Sequence, residues 1–173
     1  MNLEDVNKKR VMHIDTSSKL YERKGTAIAF MMLKNNFHRG ACLSFKLKKE
    51  LERDLKINKD YAQAYAIFIY YLIKDYLDIF DILVICNDEN VNKVKKYLQS
   101  MFQNDNKFSE KEIYSIRELR ILTGDHKLRS YANNIANSYR RRGLKKLQRQ
   151  QKGIPLNLLK INYRMIAEKW NKN

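Results

Sequence analysis

Apolar and polar positions along the first third of the chain follow strand periodicity, and short polar runs punctuate them. Val11–Thr16 predicts a first strand, and Ser17–Lys24 a polar turn segment. Gly25–Lys34 predicts a second strand, Asn35-Asn36 a hairpin turn, and Phe37–Lys48 a third strand returning antiparallel. From Asn58-Lys59-Asp60 the period changes. Ala62, Tyr65, Ala66, Ile69, Leu72, Ile73 and Tyr76 recur at helical spacing, so a helix runs to about Leu77 and is apolar enough to lie on a sheet. Ile82–Cys86 is a continuous run of β-formers, the pattern of a central parallel strand. Asn87 or Asp88 is expected to cap the next helix, whose inner face is Val91, Val94, Leu98 and Met101.

Gln103–Lys111 reads as a polar loop and Glu112–Thr123 as another strand. After Gly124 a helix carries Leu128, Ala132, Ile135 and Tyr139 on one face and ends at Arg140-Arg141-Arg142-Gly143. Pro155 suits the first turn of a last helix with the stripe Leu156, Leu159, Tyr163, Ile166 and Trp170. The order is β-β-β-α-β-α-β-α plus a C-terminal helix. It predicts an α/β fold with a mixed five-stranded sheet flanked by helices. Residues 1–10 are expected to be frayed, 11–142 to form one domain, and 143–173 to be a basic extension packing on it.

Three aspartates close apolar runs. Val11-Met12-His13-Ile14 leads into Asp15, Asp81–Asn87 into Asp88, and Leu119–Gly124 into Asp125. A sheet that aligns these ends gathers carboxylates at one edge, the oxygen-rich arrangement that hard divalent cations such as Mg²⁺ or Mn²⁺ take. His13, two residues before Asp15, points to the same side of the strand. The bland alternatives stand beside this reading: Asp15 as a turn residue, Asp88 and Asp125 as helix caps, and Asp60 as an acid favoured at a helix start.

Charge sharpens the picture. The 173 residues carry a net charge of +16, of which +12 lies between His126 and Asn173. Such a concentration attracts a polyanion, and nucleic acid, DNA or RNA, is the partner it fits best. The expected phosphate contacts are Lys127, Arg129, Arg140, Arg141, Arg142, Lys145, Lys146, Arg149 and Lys152; a solvated helix end explains the same residues without a partner. Cys42 and Cys86 sit in apolar runs, with no CxxC or Cys/His cluster. They read as small buried hydrophobes in a reducing, cytoplasmic setting, without zinc. Met1–Asp5 lacks the apolar core of a signal peptide. The longest apolar stretch, Tyr65 to Ile73, falls far short of the ~20 residues that span a bilayer, so no membrane association is expected.

With Asp15 in HIDTS ending the first strand and Asp88 in ILVICNDENV ending the fourth, the chain resembles the ribonuclease H-like superfamily from about Val11 to Tyr139. That group includes ribonucleases H, Holliday-junction resolvases, integrases and transposases. The resemblance implies hydrolysis of nucleic-acid phosphodiesters with two Mg²⁺ or Mn²⁺ ions. Asp15 would bridge the ions, Asp88 would bind one, and Asp125 in LTGDHKL the other. Asp60 in NKDYAQAY stands where ribonucleases H place a glutamate, matching by charge alone. His126 would shuttle a proton and Lys127 contact phosphate. Deeper in the following helix, where ribonucleases H often carry an aspartate, stand Asn133 and Asn134, a departure that points toward a resolvase-like variant or an inactive relative. The expectation is a metal-dependent nuclease or resolvase. The alternative is a non-catalytic nucleic-acid-binding protein of the same fold. A third reading has the C-terminal helix docking a partner, and a homodimer stays open.

Overall fold

The computed structural model describes residues 9–32, 34–148 and 157–171. Six strands are present: β1 Val11–Thr16, β2 Thr26–Met32, β3 His38–Leu43, β4 Ile82–Ile85, β5 Glu112–Ser115 and β6 Leu158–Leu159. The helices among the described residues are α1 Phe45–Asp54, α2 Tyr61–Ile73, α3 Val91–Met101, α4 Asn106–Ser109, α5 Ile116–Thr123, α6 Ala132–Gln148 and α7 Tyr163–Trp170. They build an α/β fold around one mixed sheet of order β5-β4-β1-β2-β3-β6. β1, β2 and β3 are antiparallel neighbours, while β4 pairs parallel with β1, β5 with β4, and β6 with β3.

The pleat sorts the side chains. Met12 and Ile14 of β1, Ile28 and Phe30 of β2, and Leu83 and Ile85 of β4 enter the main core with α2. That helix is buried at every position except Tyr61 and Tyr70, as its all-round apolar sequence requires. The sheet covers one side of it, and α3 and α7 lie against others. The opposite sheet face carries small residues. Ala27, Ala29 and Cys42 meet Ala136 and Tyr139 of α6, while Val11, Ile82 and Val84 are covered by Ile116 and Leu119 of α5. Two glycines let α6 approach closely. A Cβ at Gly40 would sit 2.4 Å from the Tyr139 ring, and one at Gly143 would sit 2.7 Å from Cys42 Sγ.

Several expected elements are corrected. The third strand stops at Leu43, because Ser44 caps α1 by accepting from Leu47 N at 3.1 Å. The fifth stops at Ser115, which forms a reciprocal capping box with Glu118 and starts α5. Asp125 therefore follows a helix, not a strand. The polar loop holds the short α4, capped by Asp105. α3 is capped by Asn90, not by Asn87 or Asp88. α6 continues through Arg140–Gly143 to Gln148, so the boundary expected at 142/143 falls inside a helix. Leu158–Leu159 extends the sheet from the expected five strands to six, and the last helix begins only after Asn162. Pro155 and Leu156 lie outside the described residues, as do residues 1–8. Arg10, in the segment expected to fray, is already held by the Asp81 carboxylate. No helix among the described residues is long and apolar enough to cross a membrane.

The close approach of α6 gives a stability prediction. Tyr139 is buried, and its hydroxyl lies 3.0 Å from His38 Nδ1, so the ring cannot move aside cheaply. Gly40→Ala is expected to destabilise the fold by about 1–3 kcal/mol, read as a lower urea midpoint with an unchanged slope. An unchanged midpoint contradicts this packing.

Candidate metal site at the ends of β1 and β4

Parallel pairing of β1 with β4 aligns Ile14 with Ile85, and Cys86 N donates to Ile14 O at 3.1 Å. Asp15 and Cys86 are therefore the next residues beyond paired strand positions, and Asp88 follows two residues later. One donor atom from each of Asp15, Cys86 and Asp88 lies within 4.8 Å of the other two. This group can hold a metal ion. It sits at the carboxyl ends of parallel strands, where open α/β sheets leave a crevice. Because Asn90 caps α3, Asp88 is free of the capping role.

Hydrogen bonds fix the group. Thr16 N donates to Asp15 Oδ1 at 2.8 Å, the Thr16 hydroxyl bonds Asp88 Oδ2, and Cys86 Sγ donates to the same oxygen at 3.2 Å. Tyr65, buried in α2, places its hydroxyl 3.1 Å from Cys86 Sγ. The sulfur is thus held from the core side and faces the carboxylates.

Burial pushes the Asp15 carboxyl above its usual range. The Asp88 charge adds to the rise; Cys86, Ser130 and the Thr16 amide oppose it. The Ser130 hydroxyl is close enough to favour the charged carboxylate, yet it is buried and meets no acceptor in hydrogen-bonding geometry. Burial and the two carboxylates hold the Cys86 thiol well above its ordinary value, so it is a neutral donor. Glu89 is raised by burial and by Asp88, and its Oε1 is buried without a partner. Among the described residues no cationic side chain forms an ion pair with Asp15 or Asp88. Two crowded carboxylates with no ion-pair partner among the described residues, together with the Cys86 sulfur, are a donor set able to hold a metal ion.

The loop between β1 and β2 is fixed by a buried lysine. Lys48 of α1 is only 1% exposed. Its ammonium donates to the carbonyls of Glu22 at 2.6 Å and Lys24 at 3.0 Å, and to Thr26 Oγ1 at 3.3 Å. All three protons are used inside the fold, so Lys48 is a clamp. The loop it holds carries Lys19, whose ammonium is favoured by the charges of Asp88 and Glu89.

The other anticipated site residues lie elsewhere. Asp60 caps α2 through Gln63 N at 3.1 Å and accepts from Tyr97 OH at 2.8 Å. Asp125 is exposed and accepts from Lys127 N at 2.9 Å, closing a local turn. Neither joins the Asp15–Cys86–Asp88 group. His126, Asn133 and Asn134 are exposed. Lys127, Arg129, Arg141 and Arg142 are also exposed, while Arg140 is half-buried with its Nε unpartnered. Lys145 and Lys146 lie on α6; Arg149 and Lys152 fall outside the described residues. Cys86, Thr16 and Ser130 were not singled out as site residues from sequence. Only Cys86 carried a signal, as the first residue beyond the β4 run that leads into Asp88.

Set against protein-family models, curated proteins and solved structures, the chain matches none.

His13 supplies a pH prediction. It is 1% exposed, its Nδ1 has no partner, and burial lowers its pKa to about 4 from 6.5. Between those values the unfolded chain takes up a proton that the folded chain refuses. Stability is therefore lost as pH falls through that window, by up to about 3 kcal/mol. Asp15 and Glu89, held high, act in the opposite sense, so the test compares variants. His13→Asn is expected to flatten the fall in melting temperature between pH 6.5 and 4; a profile parallel to the parent chain contradicts a buried neutral imidazole.

Proposed function

We propose that this protein is a divalent-metal-dependent phosphodiesterase acting on nucleic acid, built on a ribonuclease H-like fold. One observation carries the reading: Asp15 of β1 and Asp88, three residues beyond the parallel strand β4, converge with no ion-pair partner among the described residues. Three antiparallel strands followed by two parallel ones support the fold resemblance. The +16 charge supports a polyanionic substrate.

Asp15 and Asp88 would hold the ion, with the Thr16 hydroxyl beside Asp88. When bound, such an ion polarises a phosphoryl oxygen and lowers the pKa of water. The chain's own residues do the positioning. Thr16 N orients Asp15, and the Cys86 thiol and Thr16 hydroxyl orient Asp88. Lys19 and the exposed Lys127, Arg129, Arg141 and Arg142 offer charge to phosphates along the strand. Carboxylate oxygens suit Mg²⁺ and Mn²⁺ alike, and the neutral Cys86 thiol serves as a hydrogen-bond donor to Asp88.

A second reading, a non-catalytic nucleic-acid-binding protein, is favoured by one observation. Asp60 and Asp125 are engaged elsewhere, so only two aspartates meet. Cleavage of labelled single strands, duplexes, RNA–DNA hybrid and a four-way junction with Mg²⁺ or Mn²⁺ separates the two. The proposal expects metal-dependent cutting that drops at least ~100-fold in Asp15→Asn and Asp88→Asn, with both variants folded. Cutting that survives both substitutions overturns the site. Salt-sensitive binding with no cutting selects the second reading.

A further inference from the structure

We propose that Tyr21 and Tyr131 are base-stacking platforms on either side of the acidic group, and that the substrate is single-stranded or locally unpaired nucleic acid. The inference rests on the nucleic-acid reading above and names its substrate class.

Tyr21 is 52% exposed and Tyr131 is 48% exposed, in a chain that buries most of its large side chains. Each ring is braced from behind. Tyr131 stands edge-on to His13, with centroids 5.1 Å apart. His13 is two residues before Asp15 on the same side of β1, and Ser130, next to Tyr131, faces Asp15. Tyr21 leans on Tyr61 at 6.2 Å, in the first turn of α2 beside Asp60. Its loop is the one clamped by Lys48. α2 and α6 cover opposite faces of the sheet, so Tyr131, against His13 of β1, and Tyr21, against Tyr61 of α2, contact residues on its two sides.

A cation accompanies the Tyr21 ring, and exposed cations precede Tyr131 in sequence. Lys19 Nζ lies 5.5 Å from the Tyr21 ring centroid and senses Asp88 and Glu89. Lys127 and Arg129 are exposed in the loop leading to Tyr131. A braced, half-open aromatic ring beside a cation is the element that single-strand-binding surfaces use: the base stacks and the cation takes the phosphate. A duplex hides its base faces, so it cannot use such rings without unpairing. The third exposed aromatic, Phe45, has Lys49 over its ring at 4.8 Å and belongs to α1.

The test measures binding in EDTA, so that it does not depend on catalysis. The probes are fluorescein-labelled dT and rU 12-mers and a matching DNA duplex, read by anisotropy at fixed salt. The expected result is at least tenfold tighter binding of a single strand than of duplex. Tyr21→Ala and Tyr131→Ala should each weaken single-strand binding by about tenfold, with duplex binding unchanged and Tyr→Phe restoring affinity. Both positions are exposed, and melting curves check the fold. Equal affinity for duplex, or alanine variants that bind single strands as the parent does, overturns the inference. Single-strand preference without metal-dependent cutting sustains the inference and overturns only the catalytic reading.

Discussion

The parallel pairing of β1 with β4 is the constraint on which the site depends. It sets Ile14 opposite Ile85 and so brings Asp15 level with Cys86. A slip of one residue would turn Asp15 and His13 toward the apolar core and Met12 and Ile14 away from it. That register is enforced by burial on both faces: α2 closes over Ile14 and Ile85, and α5 over Val11 and Val84. The acidic group is thus a consequence of hydrophobic alternation. The core pays the electrostatic cost of crowding two carboxylates together.

Close packing on the other face has the same logic. Ala27, Ala29 and Gly40 leave room for Ala136 and Tyr139, so α6 lies directly across β1, β2 and β3. Its N-terminal end then reaches the strand ends, placing Ser130 against Asp15 and Tyr131 against His13. Small residues in the sheet therefore decide where polar groups meet at its edge. Lys48 plays the matching part for the β1–β2 loop. Its buried ammonium ties three oxygen acceptors, and with them the chain segment that brings Lys19 toward Asp88.

Much of this was legible in the sequence where burial alone sets the pattern. β1, α2, β4 and α3 follow their apolar periodicity, and Asp15 and Asp88 were found because each ends such a run. What escaped is governed by single polar residues. Ser44 and Ser115 switch the chain from strand to helix, and the alternating apolar residues around them, Leu43 to Leu47 and Ile113 to Ile116, read equally well as strand. Missing α5 is what placed Asp125 at a strand end. Leu159 belongs to a helical stripe by spacing, yet Leu158–Leu159 pairs with Gly40–Ala41 because that edge of β3 is open. Cys86 read as a small hydrophobe, which it is on its Tyr65 side; its hydrogen bond to Asp88 depends on a chain turn that no local pattern encodes.

The account's central claim is that Asp15 and Asp88 form a cation site. Electron paramagnetic resonance of Mn²⁺ titrated into the protein tests it directly, beside Asp15→Asn and Asp88→Asn. Saturable loss of the free-ion signal by the parent chain, abolished in both variants, is the predicted result. Equal uptake by all three chains, or none by the parent, contradicts the claim.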